Sequence, residues 1–179
     1  MGSLRGFTWN CGGLRRSAAA TLSKVMYFEK TFKNSFDFFF FLETHHKDKN
    51  EIPNELMRYE DTHHIIHSER EAEDTYAGII GLIRKDYKVD DQQKLIKGRL
   101  IHLSITDLSK NTKHRISVVY LPTNKNLNVN IITNIVHNLR IPNEDEENNY
   151  MIMGDFNFID HEKDKKNGLS AKDKQNNKI

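Results

Sequence analysis

The stretch Phe36-Asp37-Phe38-Phe39-Phe40-Phe41-Leu42-Glu43-Thr44-His45 decides how the rest of the 179 residues is read. Its apolar run, Phe38 to Leu42, is the longest uninterrupted one in the chain. It is far short of the roughly 20 apolar residues that span a bilayer. A short aromatic block of this kind reads as a strand buried in a core. It ends abruptly on Glu43-Thr44-His45-His46, so a buried element delivers polar side chains to an edge.

Three other segments repeat that design. Leu4 to Trp9 ends in the β-favouring Phe7-Thr8-Trp9 and stops at the turn Asn10-Cys11-Gly12-Gly13. His114 to Tyr120 sets Ile116, Val118 and Tyr120 on one face and breaks at Pro122, with Asn124 just beyond. Tyr150 to Met153 is a short apolar strand leading to Gly154-Asp155-Phe156-Asn157. Between these lie further strand signals at His63 to His67 and Tyr76 to Ile83. A hairpin-like pair is expected around Leu95-Ile96 and Leu100 to Ile105, with a turn at Gly98-Arg99. Helical spacing marks Ser17 to Lys33, through Leu22, Val25, Met26, Phe28 and Phe32, and Leu127 to Leu139. Ile52 to Arg58 has room for one or two helical turns, and Glu69 to Asp74 is a charged loop. No repeat has a fixed period. Many strands with helices between some of them predict a mixed α/β chain built on packed sheets.

Composition narrows the function classes. The length suits one domain. The start has no apolar stretch behind Met1 to Gly6, so no signal peptide is expected. Cys11 is the only cysteine, which excludes an internal disulfide and predicts a reducing compartment, cytosol or nucleus. No membrane role is expected. Residues 160 to 179 hold six lysines against four acidic residues, and the first 159 residues balance at zero. A broad basic field for coating nucleic acid is absent, so any polyanion must be gripped locally. The expected organisation is a domain over 1–159 followed by a polar, lysine-rich loop or tail over 160–179.

The four strand ends carry chemistry suited to phosphate. Glu43 and Asn10 offer hard oxygen donors, matched to Mg²⁺ or Mn²⁺ rather than zinc. Asp155 can orient and deprotonate a water, and Asn157 can donate to charge developing on a phosphoryl oxygen. Tyr120 and Asn124 can hold a phosphate by neutral hydrogen bonds, with Asn10 and His45 beside it. A zinc site is disfavoured: His63 and His67 are four apart, but His64 stands where a metalloprotease helix needs Glu. Cys11 lacks a histidine partner in its context and is not expected to act as a nucleophile.

Taken in order, these stretches resemble the endonuclease/exonuclease/phosphatase superfamily, and within it the endonuclease domain of LINE-type retrotransposons, relatives of abasic-site endonucleases. The similarity rests on Phe7 to Leu14, Phe40 to His45, Tyr76 to Ile80, Gly98 to Ile101, Val118 to Asn124 and Met153 to Phe158. It implies an α+β fold of two packed β-sheets flanked by helices, a four-layer α/β/β/α sandwich lacking the final strands. It implies that Glu43 binds the metal with Asn10 beside it, that Asp155 activates water, that Asn157 stabilises the transition state and that Tyr120 contacts the scissile phosphate. The implied reaction is DNA nicking. Three departures stand out. Gly12 replaces a second polar residue after the Asn, Asn124 follows Pro122 by two positions rather than one, and no Ser-Asp-His element follows Asn157. The last histidine is His161. An incomplete copy with weak or no activity alone is therefore expected. The rivals are an inactive remnant or nucleic-acid-binding module, and a phosphatase of a small phosphorylated molecule.

Overall fold

The computed structural model describes residues 4–14, 18–32, 36–122, 125–138 and 149–157. Asn124, the Leu139 helix end, Phe158 and the 160–179 segment lie outside the described residues. Strand β1 is Gly6–Asn10, helix α1 is Ala18–Phe32, and β2 is Phe38–Leu42. A short helix α2, Asn54–Met57, sits between single 3₁₀ turns at Lys49–Glu51 and Arg58–Asp61. Then come β3 His63–Ser68, β4 Ile79–Arg84, β5 Tyr87–Ile96, β6 Leu100–Asp107 and β7 Thr112–Tyr120. Helix α3, Lys125–Asn138, leads to β8, Tyr150–Asp155.

The strands form two four-stranded mixed sheets, ordered β1-β2-β4-β3 and β5-β6-β7-β8. All five β2 side chains are buried because the strand has a core on each face. Phe38, Phe40 and Leu42 point between the sheets, where Ile101, Ile116 and Val118 meet them. Phe39 and Phe41 point the other way, under Val25 and Phe28 of α1. The Phe28 ring meets Phe39 and Phe41 edge-on at 4.6 and 5.0 Å. On the far side, Ile135 of α3 covers Leu100 and Val119. The layers are therefore helix, sheet, sheet, helix, the α+β sandwich expected from the sequence.

Two pairs in these sheets are parallel: β1 with β2, and β7 with β8. A parallel pair needs a long crossover, and α1 and α3 supply it. Parallel pairing also puts both strand ends at one edge. Asn10 lies opposite Leu42, one residue before Glu43, and Tyr120 lies opposite Asp155. That register, rather than any single motif, assembles the rim described below.

Several element bounds differ from expectation. Strand β4 begins at Ile79 rather than Tyr76. Tyr76 is 62% exposed, and Gly78 turns the chain at φ +123° before pairing begins. Strand β8 runs on through Gly154 to Asp155, so the aspartate is the strand's last residue. The polar segment before Leu95 is a full strand from Tyr87. Register shifts between Val89 and Asp91 and between Lys94 and Ile96 break its alternation, which hides its period of two. No helix among the described residues is long and apolar enough to cross a membrane.

Candidate active site

Asn10 ends β1. Its Oδ1 accepts from the Gly12 amide at 3.1 Å, and its Nδ2 donates to Asp155 Oδ2 at 2.9 Å. The second bond crosses from one sheet to the other. A second crossing bond lies at the same rim: the Tyr120 hydroxyl donates to Glu43 Oε2 at 2.8 Å. The opposite oxygen, Glu43 Oε1, lies 3.4 Å from His45 Nε2. Asp155 Oδ1 accepts from the Asn157 amide at 3.0 Å, and Asn157 Nδ2 donates to the Leu121 carbonyl. Asn10, Glu43, His45, Tyr120, Asp155 and Asn157 thus occupy one rim, spanning both sheets.

Backbone conformation contributes to that arrangement. Glu43, His45 and Asn157 all have left-handed φ, at 57°, 64° and 48°. Non-glycine residues adopt it at a cost, and such positions gather at functional sites. The Glu43 turn is tied down on both sides. Gly13 and Leu14 amides donate to the Glu43 and Thr44 carbonyls, while Thr44 and His45 amides donate to the Gly78 and Ala77 carbonyls. Gly13, at φ +84°, leaves room for the His45 ring, because a Cβ there would lie 2.8 Å from Nδ1. Lys24 Nζ, reaching up from α1, donates to the carbonyls of Cys11, Gly12 and Gly13.

The thiol and the remaining histidines take other roles. Burial pushes the Cys11 thiol up to about 12, and Sγ donates to the Leu42 carbonyl at 3.0 Å. It is a protonated core group at neutral pH, not a nucleophile. Among the described residues no group of three or more His, Cys, Asp or Glu side chains is placed to hold a metal ion. That leaves Glu43 and the Asn10 amide oxygen as hard donors in a set of few ligands, which is how Mg²⁺ is commonly held, the other positions going to water and phosphate.

His46 is a buried support for the site. Its Nδ1 lies 2.6 Å from Thr44 Oγ1, and its ring meets His67 edge-on at 6.0 Å. Burial first, and then the neighbouring His67, lower its pKa from 6.5 to about 4. A histidine depressed in the folded state stays neutral there while the unfolded chain takes up a proton. The stability it supports is complete above pH 6.5 and falls as pH drops from there toward 4. The full shift corresponds to roughly 3 kcal/mol. Urea denaturation between pH 7 and 4.5 is expected to show this slope, flattened in His46→Gln. The other lowered histidines, His63, His67 and His114, supply what slope remains.

Sequence reasoning assigns no role to five residues that support the rim: Thr44, His46, Lys24, Asp74 and Arg99. The sequence places Arg99 in a turn and in the Gly98 to Ile101 stretch, with no role of its own. Arg99 is 3% exposed, and its Nε and Nη2 donate to the two oxygens of Asp74 at 2.7 Å each. Its guanidinium carbon lies 4.4 Å from the centre of the Tyr120 ring. A buried arginine demands a carboxylate partner, but nothing in the spacing of 25 residues identifies which acid it is.

Two mixed four-stranded sheets face to face, helices outside, and a polar rim at the ends of the parallel pairs define the endonuclease/exonuclease/phosphatase fold. No protein-family model and no curated protein sequence matches the chain. Solved structures do. TDP2 from Caenorhabditis elegans matches with a TM-score of 0.60 and 17% identity, over 88% of this chain and 48% of that one. TDP2 from D. rerio, complexed with single strand DNA product, gives 0.57 and 16% over 94% and 66%. The 3′ phosphatase NExo from Neisseria, bound to a product DNA hairpin, gives 0.56 and 18% over 87% and 58%. The chain thus spans between about half and two thirds of the length of these structures. At such identities the likeness is one of fold.

Proposed function

We propose that the chain is a divalent-metal-dependent phosphodiester hydrolase acting on DNA, of the kind found as the nicking endonuclease domain of LINE-type retrotransposons. The observation that carries this is the pair of cross-sheet hydrogen bonds, Tyr120 to Glu43 and Asn10 to Asp155. They bring a carboxylate for a metal and a carboxylate for a water to the same rim. The Glu43-Thr44-His45 and Gly154-Asp155-Phe156-Asn157 stretches favour the retrotransposon type. The DNA held by the similar TDP2 and NExo structures favours DNA as substrate.

Glu43 and Asn10 would hold Mg²⁺ or Mn²⁺. The ion, when bound, supplies charge that offsets the developing negative charge on the phosphate. Asp155 orients the attacking water and takes its proton at a carboxylate oxygen. The amide of Asn10 fixes the plane of that carboxylate. The water oxygen forms the new bond to phosphorus, the bond to one ester oxygen breaks, and that oxygen leaves with a proton taken from solvent water. Tyr120 presents its phenol as a donor. Burial first, and then the Glu43 carboxylate, push its pKa well above 10, so it stays protonated at neutral pH. Asn157, Asn10, Asn124 and His45 are assigned to the phosphate oxygens. The balance of charge over residues 1–159 fits a local phosphate grip rather than a basic surface.

The second reading is a module that binds nucleic acid without cutting it. Supercoiled plasmid incubated with Mg²⁺ is the test. Gradual conversion to the open circle, stopped by EDTA, is the expected result. DNA retained on a filter but left intact by a folded chain would favour the binding module. Release of inorganic phosphate from a phosphoinositide headgroup, with plasmid untouched, would point to the phosphatase.

A further inference from the structure

We infer that Arg99 and Asp74 form a brace that positions Tyr120, and through it Glu43, for the phosphate chemistry. This rests on the assignment of Tyr120 and Glu43 to the phosphate and the metal. Arg99 holds Tyr120 from three directions. Its backbone carbonyl accepts from the Tyr120 amide at 2.8 Å, and its Nη1 donates to the Tyr120 carbonyl at 3.3 Å. Its guanidinium lies against the ring face at 4.4 Å. With backbone and ring face fixed, the hydroxyl has one direction left, and it points across the sandwich to Glu43.

Asp74 closes the brace. Its carboxylate takes both remaining nitrogens of Arg99, in the fork geometry that arginine and not lysine can make. Asp74 belongs to the loop between β3 and β4. That same loop offers the Ala77 and Gly78 carbonyls to the His45 and Thr44 amides, and the Gly78 amide donates to the Gly98 carbonyl. One loop therefore supports the Glu43 turn through its backbone and Tyr120 through Arg99. Arg99 is not itself a phosphate clamp. It is buried, and its Nε, Nη1 and Nη2 all donate within the protein. It is a positioning residue.

The test uses the full chain carrying ¹³C in its tyrosine rings and glutamate carboxyls, with Arg99→Lys and Asp74→Asn. Arg99→Lys keeps the charge and loses the fork. Asp74→Asn sits at a partly exposed position and tests the brace if the lysine variant unfolds. Both are expected to move the Tyr120 ring signal and the Glu43 carboxyl signal while the Tyr87 ring signal stays. In nicking, Arg99→Lys is expected to lower kcat about tenfold with KM nearly unchanged, and to add nothing once Tyr120→Phe is present. A Glu43 signal indifferent to both variants would overturn the brace. So would an equal loss of kcat with and without the Tyr120 hydroxyl, which is what a merely structural role gives. A wild-type chain that never nicks leaves the NMR result to decide the brace, and counts against the hydrolase reading alone.

Discussion

Replacing Asp155 by alanine is expected to lower the Mg²⁺-dependent nicking rate about 10²- to 10⁴-fold, the range for loss of a positioned general base. The carboxylate has both oxygens committed, one to the Asn10 side-chain amide and one to the Asn157 backbone amide. Those bonds hold it in one orientation at the end of β8. The alanine variant leaves the two donors at a rim that water reaches, so its urea midpoint should stay near wild type. Asp155→Asn makes the sharper comparison. It keeps the shape, loses the proton acceptor, and should be as inactive as alanine. Rates are read as first-order loss of supercoiled plasmid. An Asp155→Asn chain within about threefold of wild type would remove Asp155 from the chemistry.

Gly154→Ala is expected to destabilise the chain by more than about 4 kcal/mol, a large part of the roughly 5–15 kcal/mol that holds an ordinary domain folded. Gly154 has φ +150°, and a Cβ built there lies 1.8 Å from the Val119 carbonyl oxygen and 2.9 Å from the Val119 amide nitrogen. Both are backbone atoms of the neighbouring strand, so no rotamer change relieves the overlap. Either β8 leaves β7 or the sheet opens, and Asp155 is displaced in both cases. Gly12→Ala is the control. Gly12 also has positive φ, at 57°, but no heavy atom lies within 4 Å of a Cβ there. Its cost is the left-handed strain alone, about 1–2 kcal/mol. Equal urea midpoints for the two variants would show that the β7–β8 contact is looser than described.

Much of this was legible in the sequence for identifiable reasons. The Phe38–Leu42 run is apolar on both faces because it has cores on both faces, and that alone signals a central strand in a layered fold. The ends of β1, β2, β7 and β8 show up as abrupt changes from apolar to polar residues, so Asn10, Glu43, Tyr120 and Asp155 could be named before their geometry was known. Strand β5 was hidden because its bulges scramble a polar, edge-strand alternation. Tyr76 was assigned to a strand because its neighbours are apolar, whereas Gly78 turns the chain after it. The Asp74–Arg99 pair joins residues 25 apart and depends on how the loop between β3 and β4 folds back, which no local pattern records.

The bond between Asn10 and Asp155 joins residues 145 apart in the chain. At the usual pace of translation, β1 leaves the ribosome roughly 7–30 s before the aspartate that completes its rim. Contacts so distant in sequence are also the slow ones to form, since the intervening loop must close first. Until Asp155 is made, a nascent chain carries Asn10 and Glu43 without the carboxylate proposed to activate water. If the rim is the hydrolytic site proposed above, it stays incomplete until β8 has been made and has paired with β7.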